Sequence, residues 1–280
     1  MNFKSLSELW HQSLDSIYGA DEVSALLDIV LHHYTGVDKA RLRISRESFT
    51  ADNLEDIEIA RQRLSNQEPV QYILGETEFY GLHLKVNPSV LIPRPETEEL
   101  VGWILSDNSS DTLKAIDFCS GSGCIALALK ANRPAWEVSG LELSKGALEL
   151  SKENAQRLNL AVEFSAEDIF QADLKTEYDI MVSNPPYVRL AEKAKMHANV
   201  LQHEPEMALF VADEDPFLFY RRIASLAVDH LKPEGWLYLE INEYLSEELM
   251  ALLSSLGFTV ELRKDAYLKN RMLRCQKKFN

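Results

Sequence analysis

Beyond Thr112 the chain alternates between short apolar runs and longer stretches with helical periodicity, and few folds accept that pattern. LKAIDF, WEVSGLEL, VEFSAED, YDIMVSN and GWLYLEIN have the length and the branched or aromatic content of strands. CIALALKAN, KGALELSKENAQRL, PFLFYRRIASLAVDHL and SEELMALLSSL separate or follow them and place apolar residues three and four apart. Strands joined through helices pair in parallel, and the helices cover both faces of the sheet. The expected fold is therefore α/β with a mostly parallel sheet. FTVELRKDAYLKNRMLRCQKK, which follows, reads as two strands forming an antiparallel hairpin. In such sheets ligands sit beyond the carboxyl ends of the strands, so the residues just after each strand carry the functional signal.

The first 75 residues differ. LSELWHQSL, DEVSALLDIVLHHY and NLEDIEIARQRL have helical spacing with Asp or Ser near their starts, which predicts a small helical bundle over residues 1–75. Residues 76–92 change again. TEFYGLHLKVNPSVLI alternates apolar and polar residues and contains Gly81 and Asn87-Pro88, the marks of a connecting β-hairpin. PRPETEELVGWIL then opens a helix on prolines and acidic residues, and with it a larger domain, 93–280.

Charge and cysteine content narrow the function classes. The chain carries 29 Lys and Arg against 44 Asp and Glu, a net charge of −15. A protein that binds by neutralising phosphates shows the opposite balance, so a protein or small-molecule substrate is expected, with no nucleic-acid partner. Cys119, Cys124 and Cys275 form no paired framework and no CxxC, which predicts reduced thiols and no metal site. MNFKSLSELWHQSLDS has no apolar signal core, and no run of 18 apolar residues occurs. A soluble cytoplasmic protein without a membrane partner is expected.

The first strand of the alternating region runs into DFCSGSG, residues 117–123, and then directly into a helix. Gly121 and Gly123 permit a tight turn and a close approach of backbone to ligand. Glu142 ends the second strand, where a carboxylate can accept both ribose hydroxyl hydrogens. Asp168 closes the third, positioned for an adenine amino group, with Ile169 beside it to cover a ring face. Three such residues at successive strand ends fit one nucleoside. The dinucleotide pattern GxGxxG is not met, because position 126 is Ala. The loop resembles instead the E/DxGxGxG loop of class I S-adenosylmethionine-dependent methyltransferases, with Cys119 in place of the first glycine. That resemblance implies cofactor contacts from Cys119, Ser120, Gly121, Ser122, Gly123, Glu142, Asp168, Ile169 and Asn184.

SNPPYV, residues 183–188, ends the fourth strand. Two prolines fix φ near −65° and donate no hydrogen bonds, so the strand stops in a rigid turn between Asn184 and Tyr187. The segment resembles the (D/N/S)PP(Y/F/W) motif of amino-methyltransferases, whose substrates are planar, weakly nucleophilic NH₂ groups. The Asn184 side-chain carbonyl and the Pro185 carbonyl can each accept one hydrogen of such a group, while Tyr187 packs on its flat face. Pro186 keeps the turn stiff.

The order of segments is more specific. EPVQYILGETEFYGLHLKVNPSVLIPRPETEELV, the glycine loop, SNPPYV and HEPEMALF together resemble the peptide-chain release factor glutamine N5-methyltransferases over residues 60–280. This implies methyl transfer from S-adenosylmethionine to the glutamine of the Gly-Gly-Gln motif in class 1 release factors. It also implies that Phe79, Tyr80, Arg94, Pro95 and Thr97 line the site mouth, that Glu204 and Pro205 shape the pocket, and that the helical region touches the release factor. The alternative is a DNA or RNA methyltransferase acting on an exocyclic base nitrogen. Glu240, at the end of LYLE, is expected to face the same crevice, either in a structural hydrogen bond to the 204–205 loop or in a direct role at the site.

Overall fold

The computed structural model describes residues 2–37 and 49–278. Residues 38–48 of the expected helical region, and residues 1, 279 and 280, lie outside the described residues. The chain forms two compact units. One takes the residues up to Glu76 together with His197–His203, and the other takes Thr77–Met196 with Glu204–Asn280.

The smaller unit is helical. α1 (Phe3–Tyr18) starts where Asn2 caps the Ser5 amide at 3.0 Å, and α2 (Ala20–Thr35) stops at left-handed Gly36. α3 (Ala51–Ser65) is capped by Thr50, and the short α4 (Val70–Leu74) ends at Gly75. Leu6, Trp10 and Leu14, each a turn apart, form one buried stripe, which packs with Leu27, Leu31, Ile57 and Leu64. The Arg63 guanidinium grips Glu68 and donates to the carbonyls of Tyr72 and Ile73, fixing the turn between α3 and α4.

In the larger unit β1 (Glu76–Phe79) and β2 (Leu82–Lys85) pair around Tyr80-Gly81, both with positive φ, the geometry of a two-residue hairpin turn. α5 (Pro95–Asp107) follows, with proline in its first turn. Then come β3 (Lys114–Phe118), α6 (Cys124–Asn132), β4 (Glu137–Glu142), α7 (Lys145–Leu158), β5 (Val162–Ala166) and β6 (Tyr178–Ser183). A small parallel pair, β7 (Val188–Arg189) and β8 (Phe210–Val211), precedes α8 (Leu218–His230) and β9 (Leu231–Glu240). α9 (Ser246–Ser255), β10 (Phe258–Lys264) and β11 (Asn270–Lys277) complete the unit.

The main sheet has the order β10-β11-β9-β6-β3-β4-β5. Its β3, β4, β5, β6 and β9 are parallel, and β11 runs antiparallel to both β9 and β10. Both the parallel sheet and the closing hairpin expected from the alternation are present. Alternate side chains enter opposite cores: Ala115, Ile180 and Val182 face α5, α6 and α7, whereas Ile116, Met181 and Leu237 face α8 and α9. The chain moves outward from β3 to β5 and then returns to β6 on the other side of β3. That reversal opens a crevice beyond the ends of β3 and β6. Among the described residues no helix is long and apolar enough to cross a membrane.

Candidate functional site

A cavity of about 230 Å³ occupies that crevice. Its floor is the turn after β3. Gly121 and Gly123 have φ of 54° and 81°, and Cys119 has φ of 58°, a region that glycine enters freely and a cysteine only at a cost. The first-glycine position of the loop is thus a left-handed position held here by a thiol. A Cβ on Gly123 would come within 2.7 Å of Phe164, so the turn can lie this close to β5 only with glycine there. The buried Asn154 side chain of α7 anchors the turn from outside. It donates to the Ser122 carbonyl at 3.1 Å and also pairs with the Lys85 backbone of β2.

Glu142 ends β4 buried at the cavity wall. One carboxylate oxygen accepts the Gly121 amide and the other the Ser144 amide, both at 2.8 Å. A carboxylate offers about four acceptor sites, so two stay available for further donors. Asp168 lines the cavity as well and accepts from the Phe170 amide and the Gln171 side chain, both at 3.0 Å, so it closes its own turn while facing the ligand space. Apolar surface surrounds these acids: Ile169, Leu143 at 58% exposure, and Phe170, whose ring lies 5.1 Å from that of Phe219. Leu143, Phe170 and Phe219 were not legible as site residues. For Leu143 and Phe170 the available signal was a large apolar side chain within two residues of a strand-end acid.

Of the residues expected at the site, Cys119, Ser120, Gly121, Ser122, Glu142, Asp168, Ile169, Asn184 and Pro186 line one cavity, with Arg94 and Thr97. Others are placed elsewhere. Phe79, expected to touch substrate, is 1% exposed in the core with Leu84, Leu100 and Val101, because the β1 alternation turns it inward. Tyr80 packs against the same core. Glu204 is buried beneath the wall, paired with Arg94 at 2.5 Å and accepting the Ile92 amide at 3.2 Å, so it clamps the approach to α5. Pro205 caps the short helix Glu206–Leu209, whose Met207 and Ala208 reach the cavity instead. Pro185 is buried and not among the lining residues, although Asn184 and Pro186 on either side of it are.

Tyr187 corrects a second expectation. Its ring packs with the core under α8 and its hydroxyl donates to Glu240 at 2.9 Å, so it is not among the residues lining the cavity. Glu240, 1% exposed, does not bond the 204–205 loop. Its other oxygen accepts the Thr97 hydroxyl at 2.6 Å, and Thr97 Oγ1 accepts the Asn184 side-chain amide at 3.2 Å. Thr97 therefore lines the cavity and links Asn184 to Glu240.

The thiols are poor nucleophiles. Burial pushes the Cys124 thiol up to about 12 and the Cys119 thiol higher still, so both are protonated at neutral pH. Ser122 lines the cavity, and its buried Oγ lies beside the Cys124 thiol. The cavity therefore combines acceptors and an apolar slot at one end with an aligned side-chain amide at the other.

The Methyltransferase small domain family matches residues 103–211, and the PrmC N-terminal domain family matches residues 10–75. A Flavobacterium psychrophilum protein named release factor glutamine methyltransferase is 42% identical over 282 residues, which covers 98% of this chain and 99% of that protein. One of the same name from Bacteroides thetaiotaomicron is 42% identical over 266 residues, or 94% and 95%. Another from Streptococcus pneumoniae is 47% identical over 199 residues, 71% of each. A solved methyltransferase from Pyrococcus furiosus superposes with a TM-score of 0.55 at 17% identity, covering 82% of this chain and all of that one (100%). The hMettl16 catalytic domain, solved with the MAT2A 3'UTR hairpin 6, gives 0.57 at 15% identity over 83% of this chain and 84% of that one. Those two establish the class I methyltransferase fold and no more. Identity above two fifths along nearly the whole chain establishes kinship: this chain belongs to the release factor glutamine methyltransferase family.

Proposed function

We propose that this chain transfers the methyl group of S-adenosylmethionine to the side-chain amide nitrogen, N5, of the glutamine in the Gly-Gly-Gln motif of class 1 peptide-chain release factors. The observation that carries this reading is Asn184 at the cavity wall, stiffened by Pro185-Pro186, with its NH₂ already engaged by Thr97. Its carbonyl oxygen is thereby left for a second amide.

The residues present suit the cofactor. Glu142 keeps acceptor sites for two ribose hydroxyls, and Asp168 stands where an adenine amino group would be met. Ile169, Leu143 and Phe170 supply apolar cover for a ring. When bound, the cofactor supplies an electrophilic methyl group on a sulfonium. Glu142→Ala is expected to weaken cofactor binding roughly tenfold or more, since it removes both ribose acceptors and two backbone ties. Calorimetric titration checks this, and unchanged affinity sinks the ribose assignment.

At the substrate end the difficulty is a planar amide whose lone pair is delocalised. The Asn184 carbonyl and the Pro185 carbonyl accept its two hydrogens, which orients the nitrogen and raises its electron density as the methyl bond forms. Methyl transfer makes the amide nitrogen cationic and strongly acidic, so no strong base is needed. Tyr187 contributes through Glu240 instead of by stacking. The helical region, residues 1–75, contacts the release factor body, residues 76–92 connect it to the catalytic domain, and the site of action is the cytoplasm.

The test is methyl transfer from labelled S-adenosylmethionine to a purified class 1 release factor, alongside its Gly-Gly-Ala variant and bulk DNA and rRNA. Label on the wild-type factor alone is expected. Label on nucleic acid, or equal label on the Gly-Gly-Ala variant, overturns the reading.

A further inference from the structure

We propose that Glu240, acting through the Thr97 hydroxyl, fixes which way round the Asn184 amide is held and so keeps its carbonyl oxygen toward the substrate. This rests on the reading of Asn184 as the acceptor of a substrate NH₂. A side-chain amide is nearly symmetric in shape, and packing alone does not distinguish its oxygen from its nitrogen. Turned over, Asn184 would present two hydrogens to a group that also offers only hydrogens, and the reacting nitrogen would lose the acceptor that orients it.

A relay of donors removes that ambiguity. Burial raises the Glu240 carboxyl above its ordinary range, while the Thr97 and Tyr187 hydroxyls and the Arg271 charge favour its ionised form. As a carboxylate it can only accept, and it does so from Tyr187 Oη at 2.9 Å and Thr97 Oγ1 at 2.6 Å. The single hydrogen of Thr97 is thereby used, so toward Asn184 the hydroxyl can only accept. The Asn184 group at 3.2 Å from it must be the NH₂, and the carbonyl must point away. The relay crosses three chain segments: the end of β9, the first turn of α5 and the turn after β6. Its geometry is well supported, because Tyr220 Oη holds the Glu240 backbone carbonyl at 3.0 Å and Asn242 holds the Tyr187 carbonyl at 3.1 Å. Glu240 is therefore a positioning residue that touches neither substrate nor cofactor.

An amide at position 240 can donate to Thr97, whose hydrogen then turns to Asn184 and invites the flipped amide. Glu240→Gln is thus expected to lower kcat by about 10- to 100-fold with cofactor Kd and substrate KM within about threefold, despite equal size. The sharper readout is rescue. An aspartate at 184 has two acceptor oxygens and no orientation to lose. In the Glu240→Gln background the freed Thr97 hydrogen can bond one of them and leave the other for substrate. The double variant Glu240→Gln/Asn184→Asp is expected to regain at least about fivefold in kcat over Glu240→Gln alone, a coupling that a merely structural role would not produce. A kcat for Glu240→Gln within twofold of wild type overturns the proposal, and so does a double variant no faster than Glu240→Gln. Should Glu240→Gln fail to fold, Thr97→Val against Thr97→Ser decides. Loss in the valine variant with retention in the serine variant supports the relay, and equal kcat in the two overturns it. All rates are compared on the substrate that the wild type methylates. Failure of the wild type on release factors therefore rejects the functional reading, and failure of rescue rejects the relay.

Discussion

Asn184→Ala is expected to reduce kcat on the release factor by about 10²- to 10³-fold while cofactor affinity changes by no more than about threefold. The side chain supplies one of two acceptors for the reacting NH₂, and the rigid turn holds it in place before substrate arrives. Removing it loses orientation and electrostatic support at the reacting nitrogen and leaves the glycine turn, Glu142 and Asp168 as they are. Single-turnover methyl transfer with saturating cofactor separates chemistry from product release, and a parallel calorimetric titration gives the affinity. A loss confined to cofactor affinity would move Asn184 from the substrate to the cofactor side of the cavity. Unchanged turnover would remove it from the mechanism.

How well the sequence announces this site depends on the kind of physics involved. Local signals carried far. The strand and helix periods located the parallel sheet and closing hairpin, and the strand-end rule located Glu142, Asp168 and Asn184, all on one cavity. A chain that folds by alternating strands and helices has few ways to place its strand ends, so those residues converge by topology. What failed was long-range pairing of side chains. Glu240 and Thr97 are 143 positions apart and Arg94 and Glu204 are 110 apart, and no periodicity reports which buried carboxylate meets which donor. Phe79 and Tyr187 were misplaced for a related reason. An aromatic residue near a motif suggests stacking, but each ring here packs in a core with only the Tyr187 hydroxyl turned to a polar partner. The small pairing of β7 with β8 was also illegible, since two residues per strand have no pattern to read.

Asp117→Asn is expected to stabilise the fold in a strongly pH-dependent way. Asp117 lies in β3 beneath the glycine turn and is 1% exposed. Neither carboxylate oxygen makes a hydrogen bond of good geometry among the described residues, and the nearby Ser120 side chain and Ala126 amide offset only part of the cost of burial. Burial pushes its carboxyl up to about 8 from the ordinary 3.8. The unfolded chain releases that proton near the ordinary value and the folded chain holds it until about pH 8, so between the two the folded state binds more protons. Stability from this group is then complete below the unfolded value and declines by about 1.4 kcal/mol for each pH unit until the folded value is passed. The full span has an upper limit on the order of 5 kcal/mol, against which a buried amide with imperfect partners loses about 1–3 kcal/mol. The net expectation is a gain of about 2–4 kcal/mol for the asparagine variant near pH 8, falling to zero or below near pH 5. Urea midpoints for both proteins at unit intervals across that range give the difference directly. A difference that does not change with pH would show that Asp117 is ionised in the folded protein or finds a partner there. A difference that closes toward acid would mean that the turn beneath the cofactor site is built over a protonated carboxyl, at a cost in stability that the position of the turn requires.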